Sequence, residues 1–212
     1  MIDLGKGTWF SYQKDWLPPN QADTLFSFFR EQRNWVQRPI FVWDKPIMQP
    51  RLMCWAGDLP YKYSGQTLEP RPLTGTLGQL NEQLAIQCNT PFNHVVLNLY
   101  RNGEDHIAMH SDNEPELGFQ PLIASLSLGE RRNFIMLPKD KRKRRKHKRT
   151  LILEHGSLLV MGGSFQHKWR HALPKSSSFT GERINITFRY LKGPPGWREP
   201  WDKRKPSRMA EE

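Results

Sequence analysis

Apolar residues recur along this chain with two different periods, and the change from one to the other divides it. Ala22, Leu25, Phe26 and Phe29 keep the i, i+3, i+4, i+7 spacing of a helical face, with Asn20 as the cap. Leu77, Leu80 and Leu84 mark a second amphipathic helix over about Thr74 to Gln87. Beyond Pro91 the period falls to two. Val95, Leu97 and Leu99 then share one face of a strand, and Val96, Asn98 and Tyr100 the other. Further strands are predicted over Leu122–Leu128, Asn133–Leu137, Leu151–Leu153, Ser157–Met161 and Arg183–Tyr190. The pattern predicts an α+β chain, mainly β, with a helical N-terminal layer followed by an antiparallel half.

Residues 33–72 keep neither period. They are rich in Pro, Gly and aromatics, with Trp43, Trp55, Tyr61 and Tyr63 among short apolar pieces, and predict hairpins and loops over one mouth of the β structure. Residues 1–192 read as one domain without internal repeats, and residues 193–212 as a Pro- and charge-rich tail.

Composition narrows the classes. A length of 212 residues suits one domain with a substantial core. There is no run of eighteen apolar residues and no charged-then-apolar start, which predicts a soluble chain that is neither exported nor membrane-bound. The expected compartment is the cytoplasm in a bacterium or the nucleus in a eukaryote, and the expected state a monomer. Cys54 and Cys88 are too few and too distant for a disulfide framework and read as thiols. The net charge of +11 is concentrated: Lys139 to Arg149 holds nine Lys or Arg against one Asp, so a nearly balanced globule carries one basic segment. Such a segment suits a polyanion, nucleic acid above all; a solvated charge run or an import signal would read the same way.

Candidate chemistry sits in the C-terminal half. His110 and Asp112 are two apart, so on an extended segment both point to one face, and His171 can join them from another strand. Two imidazoles and a carboxylate suit a non-haem Fe(II) centre with open positions. Alone the signal is weak, because His94, His106, His147, His155 and His167 are also available. The segment Arg183-Ile-Asn-Ile-Thr-Phe-Arg189 adds weight: its odd positions are all polar and its even ones all apolar. A strand with a solvated polar face would alternate identically. Two guanidiniums, an amide and a hydroxyl, however, form a donor-rich face for an oxygen-rich anion, and Asn98 and Tyr100 extend the polar inventory. A zinc ion on the same three ligands would leave that strand without a purpose.

The stretch from Asn98 to Tyr190 resembles the AlkB-like Fe(II)/2-oxoglutarate dioxygenases, particularly those that repair alkylated nucleic acid. The matching pieces are Asn98-Leu-Tyr100, His110-Ser-Asp112, Trp169-Arg-His171-x-x-Pro174 and Arg183-x-Asn-x-Thr-Phe-Arg189, with weaker likeness at Pro50-Arg51 and Tyr61-Lys-Tyr-Ser-Gly65. The resemblance implies a double-stranded β-helix, or jelly roll, with helices on one side and a lid of hairpins. It implies that His110, Asp112 and His171 hold Fe(II), and that Asn98, Tyr100, Arg183, Asn185, Thr187 and Arg189 surround 2-oxoglutarate. With O2 as oxidant, the implied reaction converts the cosubstrate to succinate and CO2 and hydroxylates an N-alkyl group of 1-methyladenine or 3-methylcytosine type, which leaves as formaldehyde. One departure concerns the positions after the Asp ligand, where relatives often carry acids: here they are Asn113 and Glu114.

A methyl on a Watson–Crick edge is reached only in a single strand or after base flipping. Tyr61, Tyr63 and Ser64 match the family's lid and are candidates to hold the base, as is Arg51. The resemblance also points to Trp43 as an apolar wedge, with core packing as the competing role. The run Lys139–Arg149, between two predicted strands, is expected to be a long hairpin loop that clamps phosphates. The alternatives are the same chemistry on RNA, tRNA or protein, or a binding module without catalysis, for which broken ligands would be expected.

Overall fold

A computed structural model describes residues 1–193 apart from 33, 43, 44, 64 and 65. The chain opens on a hairpin of β1 (Ile2–Gly5) and β2 (Thr8–Gln13), followed by α1 (Pro19–Gln32). A small hairpin of β3 (Pro39–Val42) and β4 (Lys45–Met48) precedes β5 (Leu52–Gly57), a second of β6 (Tyr61–Tyr63) and β7 (Gln66–Leu68), and then α2 (Gly75–Cys88). The β-rich remainder runs through β8 (His94–Tyr100), β9 (Ile107–His110), β10 (Ile123–Gly129) and β11 (Arg132–Pro138). After one-turn α3 (Arg144–His147) come β12 (Arg149–Leu153) and β13 (Ser157–Gly163), then one-turn α4 (Phe165–Lys168), β14 (Trp169–Leu173) and β15 (Arg183–Arg189).

Both helices form where the period predicts, with ends set by local chemistry. Pro19 takes the first helical position, where its missing N–H costs nothing, and the Pro18 carbonyl accepts from Gln21 and Ala22. The expected cap, Asn20, therefore lies inside α1. Thr74 precedes α2, and Asn89 ends it in the left-handed region with its N–H turned back to Ala85 and Ile86.

Two antiparallel sheets face each other as a jelly roll. The larger runs β1-β2-β13-β10-β15-β8-β5 and the smaller β12-β11-β14-β9. On the outer face of the large sheet, Phe29, Leu77, Leu80 and Leu84 from the helices pack on Val95, Leu97, Leu126, Ile184 and Ile186. Between the sheets lie Phe10, Ile123, Phe134, Leu159, Met161 and Trp169. The central strands are thus covered on both faces, and all seven residues of β8 and of β15 are buried.

Three expectations are corrected. The chain does not begin with a helical layer: β1 and β2 extend the large sheet, and alternation across Thr8–Gln13 buries Thr8 and Phe10 against β13. Nor is all of 33–72 a lid. β5 is the edge strand of the large sheet, paired with β8 from Leu52↔Leu99 to Gly57↔His94. Buried on both sides, its continuous apolar run Leu-Met-Cys-Trp-Ala shows no period of two. The basic connection is also shorter as a loop than expected, with a 3₁₀ turn at Lys141–Lys143 leading into α3.

Candidate active site

The strand pairings create the site. β14 pairs with β9 so that His171 stands opposite His110, and their rings meet edge to face with centroids 4.3 Å apart. Asp112 follows β9 and turns inward, anchored by its own N–H donating to the Gln166 side-chain oxygen at 3.0 Å. One ligand atom from each of His110, Asp112 and His171 lies within 4.8 Å of the others. His110 Nδ1–H donates to the Ala108 carbonyl at 2.8 Å, which fixes the ring and leaves Nε2 for a metal. Phe134 and Phe165 flank the His171 ring.

The other wall is β15. Its apolar residues Ile184, Ile186 and Phe188 turn to the helices, so Arg183, Asn185, Thr187 and Arg189 must turn between the sheets. These four, with Asn98, Tyr100 and the three candidate ligands, line one pocket with about 460 Å³ of atom-free space. A chain of hydrogen bonds orders the wall: Arg183 Nη2 donates to Ser127 and Asn185, Ser125 donates to Asn185, and Asn185 donates to Thr187. Arg51, just before the edge strand β5, donates from Nε to Asn98 Oδ1 at 2.7 Å.

Electrostatics prepare the ligands. Burial, aided by His110, lowers His171 to about 3, and burial lowers His110 as well, so both imidazoles stay neutral. Burial alone would raise Asp112. The Arg189 guanidinium, 3.1 Å away, outweighs it and holds the carboxyl at about 2, where acid charges His171 as well. Neutral imidazoles and an ionised carboxylate are the protonation states a metal needs.

Arg183 supplies the fit for a diacid. It is 1% exposed; burial lowers it to about 10, with the Tyr100 hydroxyl beside it pulling the other way, and among the described residues neither its Nε nor its Nη1 finds a well-formed hydrogen bond. A buried guanidinium edge with two open donors is costly unless something anionic meets it. A carboxylate meets it with matching fork geometry.

The predicted substrate residues scatter. Arg51 is buried beside Asn98, so it supports the pocket wall instead of facing a strand. Tyr61 is wholly buried with Trp55, Leu68 and Val96, its ring against His94 and near the Arg189 guanidinium, which makes it a core residue here and not an open stacking surface. Glu114 is half-buried; burial and the adjoining Asp112 raise its pKa, while Tyr61 lowers it by a hydrogen bond. Asn113 is exposed. Trp43, Ser64 and the Tyr63 side chain lie outside the described residues. Sequence reasoning missed Ser125, Ser127 and Gln166. The serines alternate with Ala124, Leu126 and Leu128, the same period-two signal that exposed the arginine strand. Gln166 carries no such signal.

Comparison with known proteins is consistent with this geometry. Residues 10–189 match the family model described as the 2OG-Fe(II) oxygenase superfamily. The chain is 41% identical over 175 residues to the alpha-ketoglutarate-dependent dioxygenase alkB homolog 3 of Bos taurus, covering 80% of this chain and 61% of that protein. It is 33% identical over 220 residues to the DNA oxidative demethylase ALKBH2 of Arabidopsis thaliana, covering 90% of this chain and 68% of that one. The chain thus spans about three fifths of its alkB homolog 3 relatives. Among solved structures, OsALKBH1 shares the fold at a TM-score of 0.58 and 14% identity, over 89% of this chain and all of that one. A Pseudomonas putida prolyl-4-hydroxylase shares it at a TM-score of 0.54 and 14% identity, over 87% of this chain and 93% of that one.

Proposed function

Because this chain belongs to the 2OG-Fe(II) oxygenase superfamily, and within it to the AlkB-like dioxygenases, we propose that it oxidatively removes N-alkyl groups from bases of 1-methyladenine or 3-methylcytosine type in DNA, releasing formaldehyde, succinate and CO2. The observation that carries the reading is the shared pocket, in which a two-His, one-carboxylate set faces a buried arginine with no carboxylate partner among the described residues. The name of the ALKBH2 relatives, DNA oxidative demethylase, supports a DNA substrate.

His110, Asp112 and His171 would hold Fe(II), and Arg183 would take the distal carboxylate of 2-oxoglutarate, with Asn98, Tyr100, Asn185 and Thr187 completing the wall. Iron(II) and the cosubstrate together supply the activation of O2 for C–H hydroxylation. The protein's contribution is position and dryness. Arg189 pins Asp112 through its second carboxylate oxygen, so the ligand keeps one orientation. Phe134, Leu153, Met161 and Leu173 line the pocket with hydrocarbon and limit water around the reacting alkyl group.

The target base must reach this pocket unstacked, at a cost of about a few kcal/mol that is smaller for a lesion already unable to pair. The connection from Lys139 to Arg149 supports strand binding: Lys141, Arg142, Lys143, Arg145, Lys146, Lys148 and Arg149 are all exposed. Lys139 and Arg144 instead donate to backbone carbonyls and brace the turn. The test is formaldehyde release from oligonucleotides bearing 1-methyladenine or 3-methylcytosine, as single strand, duplex and RNA, with Fe(II), 2-oxoglutarate and ascorbate. Loss of release in His110→Ala and Arg183→Ala is expected. Turnover that survives both changes would remove the proposal.

A further inference from the structure

Outside the iron-ligand pocket, a second and larger cavity of about 1050 Å³ lies between the β1–β2 turn, the basic connection and α4. Lys6, Lys139, Lys143 and Lys168 line it, against a single acid, Asp140. That acid is already engaged, accepting from Arg142 through both backbone and side chain. Lys139 donates to the Gln166 carbonyl and Lys168 to the Lys6 carbonyl, each using one of three ammonium protons to tie a wall in place. The closeness of the β1–β2 turn is built in. A Cβ at Gly163, whose φ is +60°, would fall 2.1 Å from the Gly7 carbonyl oxygen.

At the rim stands an aromatic pair that no core requires. Phe119 is 78% exposed, and its ring stacks on the exposed His167, which lines the cavity; the centroids are 5.6 Å apart and the planes 30°. The pair is held and not loosely splayed. Gln120 donates its N–H to His167 Nε2 at 3.4 Å and its amide to Ser164 at 3.0 Å, fastening the Phe119 loop to α4. Gly118 at φ 72° and Gln120 at φ 54° both occupy the left-handed region, so the backbone bends on each side of Phe119 and presents it outward. A solvated phenylalanine held on an imidazole beside four lysines has the parts of a single-strand subsite: a stacking plane and a phosphate pocket. It lies beside the strand that carries the metal site: Lys168 ends α4, and His171 on β14 follows it three positions later, at most roughly 10 Å of extended chain.

We propose that the Phe119–His167 stack and the lysine cavity beside it form an accessory subsite for a single-stranded nucleic acid, which stacks a base next to the target on Phe119 and seats the adjoining phosphates among Lys6, Lys139, Lys143 and Lys168. The inference rests on the nucleic-acid reading of the iron site, and its test separates the two. Fluorescence anisotropy of the full chain with unmodified dT20 reads the subsite, while formaldehyde release by the wild-type chain from 1-methyldeoxyadenosine as a free nucleoside reads the iron site alone. Phe119→Ala is expected to raise the dT20 Kd at least about fivefold, and Phe119→Trp to restore it. Lys143→Gln is expected to flatten the log Kd against log salt slope by roughly 0.7, which Phe119→Ala should leave unchanged. Ultraviolet crosslinking of dT20 carrying 5-iodouracil should label the peptide that contains Phe119. Tight dT20 binding that is indifferent to Phe119→Ala, or no wild-type binding at all, would overturn the subsite. Phe119-dependent binding without nucleoside turnover would keep the subsite and sink the dealkylation reading.

Discussion

Acid should weaken this fold through one histidine that takes no part in metal binding. His94 is 0% exposed, its ring lies edge to face against Tyr61 at 4.9 Å, and among the described residues neither ring nitrogen has a hydrogen-bond partner. Burial, reinforced by the Arg189 guanidinium, lowers it from 6.5 to about 3. A histidine depressed by folding stabilises the fold above pH 6.5 and loses that contribution as pH falls toward 3, because the unfolded chain takes up the proton first. At pH 5 the unfolded imidazole is almost fully charged and the folded one is not. The gap from 6.5 to 5, at about 1.4 kcal/mol per tenfold, removes about 2 kcal/mol. Urea unfolding of the metal-free chain at pH 7.5 and pH 5 measures it, with His94→Phe as the reference. Phenylalanine keeps the ring contact and forfeits no hydrogen bond. His171 is present in both proteins, so its own depressed pKa cancels in the comparison. The wild type should lose about 2 kcal/mol more than the variant between the two pH values. Parallel losses would refute the argument that buried, unpartnered His94 stays neutral.

Three further outcomes follow from the same geometry. Arg183→Met keeps length and apolar stem but removes the open guanidinium edge; the KM for 2-oxoglutarate should rise at least about tenfold, while Co(II) binding, followed by its visible absorption, should be retained. Arg132→Leu deprives the carbonyls of Asn102, Asp105 and Pro174 of a buried donor and should destabilise the chain by about 3 kcal/mol, seen as a lower urea midpoint with an unchanged m-value. Replacing the seven exposed cations between Lys141 and Arg149 with Gly and Ser should flatten a log–log salt dependence of duplex binding whose wild-type slope is roughly −6; an unchanged slope would remove the phosphate clamp.

The site was legible where side-chain chemistry and backbone period coincided. Arg183, Asn185, Thr187 and Arg189 announced themselves because a strand sends alternate residues to opposite faces, and the structure places all four in the pocket with His110, Asp112 and His171. The same rule applied to Ser125 and Ser127 would have found the hydroxyls behind this wall, Ser127 accepting from Arg183 and Ser125 donating to Asn185. Tyr61 misled, because an aromatic in a short strand reads alike whether it faces a ligand or a core. Only the packing of Trp55, Leu68 and Val96 around it decides.

The sequence by itself determined the local periods, the ligand chemistry and the concentration of charge, since each depends on near neighbours in the chain. What tertiary structure alone decided is adjacency. His171 meets His110 only because β14 pairs with β9 in one register, and a slip of a single residue would turn the imidazole to the opposite face. Gln166 buttresses Asp112, and Phe119 finds His167, across intervals of 54 and 48 residues that no local pattern spans. Such contacts are products of sheet order and loop closure, so their partners become visible only when the strands are paired.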